Sequence, residues 1–257
     1  MSYIQMINNK MKQIKNEYCN FMSIKTLDEF KLEFFNDNDG VMSYVNYQSN
    51  NITLFIREDL FKILKSNAEP IIYHELTHIY HTSYLLPSKS REEKNSLIRM
   101  YSEYYAVQAQ MKKSLHYYKY DSIYYFNLKT KTHDWFKDRN VLDDIKYKTN
   151  DYIQKILNLL NRKPSQYVYY ILLHTIYYIS MCDFWNVYCK EDIDSFIVKD
   201  IPTLLFGNEL ELFHYFLTNK FENNEKYFNV LLDSQYKMVQ YFGINEDKII
   251  DQMRQKQ

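Results

Sequence analysis

Apolar residues recur at helical spacing at the start of the chain, at Ile4, Ile7, Met11 and Ile14 and again at Leu27, Phe30, Phe34 and Phe35. Residues 1 to about 35 are therefore expected to be helical. The polar cluster from Asn36 to Gly40 reads as a turn. Two β-branched and aromatic runs follow, Val41–Gln48 and Asn51–Ile56, and Ser49-Asn50 between them predicts two tightly joined strands. Asp59–Lys65 reads as a short helix and residues 71–84 as a longer one, closed by Pro87. Ser88–Ser96 reads as a charged loop. A second long helix is predicted from Leu97 to about Tyr118, with Leu97, Met100, Tyr104, Val107, Met111 and Leu115 along one stripe. Beyond about residue 141 the pattern is helical throughout, over 141–162, 165–190, 207–221 and 222–241. The expected fold is α+β and mainly helical. Residues 1–120 carry a small N-terminal β-sheet, and residues 121–257 form an all-helical C-terminal half.

Composition supports that reading. Only 3 Gly and 4 Pro occur, which leaves little material for tight hairpins and favours long helices joined by polar turns. The 27 Tyr fill amphipathic positions, where the ring packs and the hydroxyl stays wet. With 32 basic and 32 acidic residues the formal charge is zero, so no overall field recruits nucleic acid or an anionic membrane. Cys19, Cys182 and Cys189 form no CxxC pair and suggest neither a disulfide framework nor a thiolate metal site. The uncharged run Tyr167–Cys182 falls short of the ~20 residues that span a bilayer and reads as a buried helix. The N-terminal residues are too polar for a secretory signal, so a cytoplasmic protein is expected.

Chemistry concentrates in His74-Glu75-Leu76-Thr77-His78. On a helix, positions i and i+4 lie on one face a turn apart, so the two imidazoles can converge on one tetrahedral Zn²⁺. Glu75 follows the first histidine, where zinc hydrolases with this HExxH motif carry the carboxylate that takes a proton from the attacking water. The alternative is a chance match on an amphipathic helix, with both histidines satisfied in the core.

Two histidines leave a catalytic zinc site one protein ligand short. His81 lies on the same helix, and a straight helix cannot wrap a third imidazole around the ion. Sites that take a later histidine need a Gly to break the helix, whereas position 81 is His and position 84 is Tyr. Glu92 and Glu93 belong to the polar stretch and are expected to be solvated. Glu103 is preferred: its helical face is otherwise apolar, with Met100, Ala106 and Val107 around it, and a carboxylate there is costly unless paired or coordinated. The competing reading makes Glu103 the ion-pair partner of Arg99 on a wet face.

Taken together, His74-Glu-Leu-Thr-His78, the strand Asn51–Ile56 before it and Glu103-x-x-Ala106 after it resemble the gluzincin metallopeptidases, most of all the ImmA/IrrE-like ones. The resemblance covers roughly residues 40–112. It implies a zincin-like fold, Zn²⁺ held by His74, His78 and Glu103, and Glu75 as general base. It implies hydrolysis of an intracellular protein or peptide substrate, and Asn51–Ile56 as an edge strand along which an extended peptide would pair. It also makes His174 a possible oxyanion donor, although a histidine in such an apolar run is more often a satisfied core residue.

Between Lys112 and Asn140 basic residues interleave with Tyr117, Tyr118, Tyr124, Phe126 and Trp135. Such interleaving can bind single-stranded nucleic acid, but Asp121, Asp134 and Asp138 offset the charge, and a Tyr-rich connector is the simpler reading. The expected protein is thus a zinc endopeptidase with no membrane or nucleic-acid partner. The alternative is a non-catalytic module that binds nucleic acid or protein beside a vestigial or structural metal site.

Overall fold

The computed structural model describes residues 3–36, 42–48, 51–58, 69–115, 126–133, 138–162, 164–193, 195, 197, 200–219 and 221–254. The expected turns at Asp37–Gly40 and Ser49-Asn50, the short helix Asp59–Lys65, and Tyr117, Tyr118, Tyr124 and Trp135 of the basic–aromatic segment lie outside them. The protein is mainly helical α+β, as the pattern predicts. The chain forms two compact units. One comprises residues 1–95, 105–124 and 131–139, the other 96–104, 125–130 and 140–257. The division crosses the chain several times.

In the first unit, helix α1 (Tyr3–Phe21) buries Ile7, Met11, Ile14 and Tyr18, the 4-3-4 spacing of a single helical stripe. Three strands follow: β1 (Lys31–Phe35), β2 (Ser43–Gln48) and β3 (Asn51–Arg57). Their spatial order is β1-β3-β2, parallel between β1 and β3 and antiparallel between β3 and β2. Ile52, Leu54 and Ile56 of β3 are buried while Thr53, Phe55 and Arg57 are half-buried, the period-2 alternation of a strand with one face on the core. Full burial of side chains this size contributes about 1.5–3 kcal/mol each.

Lys31–Phe35 is a strand and not the end of a helix, because its backbone groups pair with β3, Leu32 opposite Leu54 and Phe34 opposite Ile56. In consequence Asn51–Arg57 is the central strand, and its backbone is paired on both sides. It is not an edge.

Helix α2 (Glu69–Tyr84) carries the HExxH motif and is buried through most of its length. Its Tyr73, Leu76 and Ile79 share one apolar core with α1 and β3, the Tyr73 ring stands edge-on to Tyr18, and the Tyr18 hydroxyl donates to Thr77 Oγ1 at 3.0 Å. Thr77 in turn donates to the Tyr73 carbonyl at 2.8 Å, so a hydroxyl relay pins the motif's middle residue to α1. Helix α3 (Arg91–Ser114) begins six residues earlier than the apolar stripe suggests. Ser90 and Glu93 form a reciprocal capping box, in which Glu93 N–H donates to Ser90 Oγ at 3.3 Å and Ser90 N–H to Glu93 Oε2 at 2.9 Å. That cap converts the expected loop into the helix's first turn. A small two-stranded sheet, β4 (Lys131–His133) with β5 (Asp138–Asn140), completes the elements around the first unit.

The second unit is helical: α4 (Val141–Leu160), α5 (Pro164–Tyr188), α6 (Asp200–Phe206), α7 (Glu209–Asn219) and α8 (Glu225–Arg254). Asn140 caps α4 by accepting from Asp143 N–H at 2.8 Å. Helix α5 is the apolar run Tyr167–Cys182 extended at both ends, with Ile171, Leu172, Ile176, Met181, Phe184 and Trp185 buried. Gly207 separates α6 from α7 at φ +62°, where a Cβ would meet the Tyr241 ring at 2.8 Å. Among the described residues no helix is long and apolar enough to cross a membrane.

Candidate metal centre

Helix α2 presents His74 and His78 on one face, with Nε2 to Nε2 at 3.1 Å and the rings edge-to-face. Two nitrogens bound at 2.0–2.1 Å to one tetrahedral ion would stand about 3.3 Å apart, so the imidazoles are already close to the spacing a zinc ion requires. Glu103, on α3, completes the set: one ligand atom from each of His74, His78 and Glu103 lies within 4.8 Å of the others. Two imidazoles and a carboxylate are a donor set that suits Zn²⁺ and other divalent first-row ions alike. These residues could hold a metal ion, and the fit is one of spacing as well as of donor type.

The surroundings favour a fixed carboxylate. Glu103 is fully buried at 0% exposure, so the wet-face reading does not hold, although the Arg99 pairing does. Arg99 lies against Oε1, and the Tyr177 hydroxyl donates to Oε2 at 2.8 Å. Burial first and the Glu103 charge second push the Tyr177 phenol far above its ordinary range, so it stays a donor at any physiological pH. A carboxylate held this way has lost its rotational freedom before any ion arrives.

Glu75 is buried and accepts a hydrogen bond from Ser43 Oγ at 2.8 Å. Ser43 opens β2 on the face it shares with Val45 and Tyr47, the same face of the sheet as their buried partners Ile56, Leu54 and Ile52 of β3. The strand next to the motif helix is therefore β2, an outer strand of the three, and not β3.

The remaining candidates lie elsewhere. His81 is buried with its ring edge-on to Tyr105, is pushed down to about 3 by burial and then by His78, and takes no part in the group. Glu93 is committed to the Ser90 cap, and the Glu92 side chain is outside the described residues. His174 rests against the rings of Tyr152 and Tyr177, with burial pushing it down to about 4, and is not among the metal-holding residues. Sequence reasoning missed Ser43 and Tyr177. The first had a faint signal in the inward alternation of β2. The second lies three residues after His174 on the same helix but is otherwise one tyrosine among 27.

Compared with protein-family models, with curated proteins and with solved structures, the chain matches none.

Proposed function

We propose that the protein is a zinc-dependent metallopeptidase of the gluzincin type, similar to the ImmA/IrrE-like enzymes, that hydrolyses peptide bonds of a protein substrate in the cytoplasm. The observation that carries this reading is the convergence of His74, His78 and Glu103 around a volume of one ion, with the Glu75 carboxylate on the same helix. Zn²⁺ held by these three residues would supply Lewis acidity, polarising the attacking water and the scissile carbonyl.

The chain's own residues do the rest. Glu75 accepts the proton of the attacking water and returns it to the leaving amine, so that one carboxylate serves both halves of the hydrolysis. Ser43 aims it, since a hydrogen bond to Oε1 restricts the carboxylate's rotation and leaves Oε2 as the proton acceptor. Tyr177 and Arg99 hold Glu103 in place. An extended substrate would pair with the outer strand β2, which brings its backbone to the side of the sheet that carries Ser43. The resemblance alone proposes His174, packed beside Tyr177, as the oxyanion donor.

The test is hydrolysis of an unbiased peptide mixture by zinc-reconstituted wild type and Glu75→Gln. The amide keeps the shape and the metal but cannot take the proton. Cleavage by wild type that falls at least a hundredfold in the variant supports the proposal. Equal cleavage by both, or none by a zinc-loaded wild type, refutes it.

A further inference from the structure

Within the helical unit a cavity of about 270 Å³ opens between α5 and α7. Its α5 wall presents Ile179, Asp183 and Asn186, spaced by four and then three residues and so on one helical face. Opposite stand Leu210, Glu211 and His214 of α7, and Ile197 adds a further apolar surface. The combination of apolar walls with a few convergent polar groups is that of a small-molecule site, and the volume lies just below the roughly 300–1,000 Å³ that holds drug-sized ligands.

The polar groups decide the ligand. Asp183 Oδ2 accepts from the Tyr104 hydroxyl at 2.5 Å and contacts His214 Nε2 at 2.5 Å. Both contacts fall on the same oxygen, and Oδ1 takes no hydrogen bond from any described residue. The Asp183 hydrogen bond raises His214 above the ordinary imidazole range. With the ring charged, it and Asp183 neutralise one another, and Glu211 leaves the cavity at −1. With the ring neutral the cavity is at −2. No Lys or Arg lines the cavity among the described residues. The cavity is therefore negative in either state of the imidazole, and its charged groups besides His214 are carboxylates.

We propose that this cavity binds a small organic cation, a primary ammonium on a compact apolar body, with the ammonium between Asp183 and Glu211 and the body against Ile179, Ile197 and Leu210. This does not depend on the metal centre. Phenethylamine is the probe, titrated into the full chain by calorimetry, with the His214 ring protons followed by NMR to place it. Phenethylamine should bind and shift the His214 signals, while the isosteric 2-phenylethanol and phenylacetate should bind at least tenfold more weakly, because they lack the charge that meets a carboxylate.

Asp183→Asn should abolish binding. Because Asp183 also anchors Tyr104 and His214, the second variant is Glu211→Gln, an exposed residue whose loss should weaken phenethylamine about tenfold without disturbing the fold. The proposal is overturned if phenethylamine does not bind at millimolar concentration, if 2-phenylethanol binds as well, if binding leaves the His214 signals unmoved, or if Glu211→Gln changes nothing.

Discussion

Removing the Lys113 ammonium should destabilise the helix that carries His74 and His78. Glu69 opens α2 and is buried, with Lys10 at 2.6 Å on one oxygen and Lys113 at 2.8 Å on the other. The side chain of Lys113 is only 3% exposed, and its ammonium also lies 4.8 Å from the centre of the Tyr73 ring. Burial pushes the Glu69 carboxyl up, but the two ammoniums outweigh it and hold the group below the usual carboxylate range. Breaking a buried pair by removing one partner costs about 3–5 kcal/mol. Lys10 remains to share the charge, so Lys113→Met is expected to cost about 2 kcal/mol. Lys10→Met should cost under about 1 kcal/mol, since its side chain is 34% exposed and water screens the pair. Urea unfolding of metal-free protein is the assay, because a bound ion would add its own stabilisation. Adding Glu69→Gln to Lys113→Met should recover part of the loss by removing the stranded charge. Because the folded pKa of Glu69 is depressed, its contribution is present above the unfolded carboxylate value and is lost as pH falls below it. Lys113→Met should therefore lose less stability than wild type on acidification. If Lys10→Met costs more than Lys113→Met, the burial argument is wrong.

Tyr177→Phe should keep the fold and weaken zinc binding by about 10–100-fold, the usual effect of losing a hydrogen bond to a metal ligand, measured by competition with a chelating dye; unchanged affinity would show that Glu103 needs no such support. His81→Ala and Glu93→Ala should leave zinc affinity nearly unchanged in the same assay, and a loss in either would mean that another side chain closes the site. His174, held down to about 4 against an ordinary 6.5, favours the fold while neutral. Its contribution is present above about 6.5 and is lost as pH falls toward about 4, so His174→Gln should flatten the stability profile over that interval; an unaltered profile contradicts the burial argument.

What the sequence disclosed depended on the range of the interaction. Helix α4 was readable from its sustained apolar period, and α2 and α5 from the length of apolar runs bounded by Pro or charge. Glu103 was readable as a carboxylate inside an apolar stripe. Lys31–Phe35 was not, because five residues fit a helical or an extended period equally, and pairing with β3 decides between them. That one misreading also turned a central strand into an expected edge. The start of α3 had a local signal, Ser90 followed three residues later by Glu93, which the charge of the stretch obscured. Ser43 and Tyr177 had none of that strength. Their partners Glu75 and Glu103 lie 32 and 74 residues away in the chain, and only the fold brings them together.

His74, His78 and Glu103 are proposed to hold one zinc ion. Elemental analysis of protein purified without chelators tests it most directly. Wild type should carry about one zinc per chain, and His74→Ala, His78→Ala and Glu103→Ala, each folded by circular dichroism, should carry almost none. A wild-type protein that contains no zinc and takes up none when it is offered, or a Glu103→Ala variant that binds zinc as tightly as wild type, would contradict it.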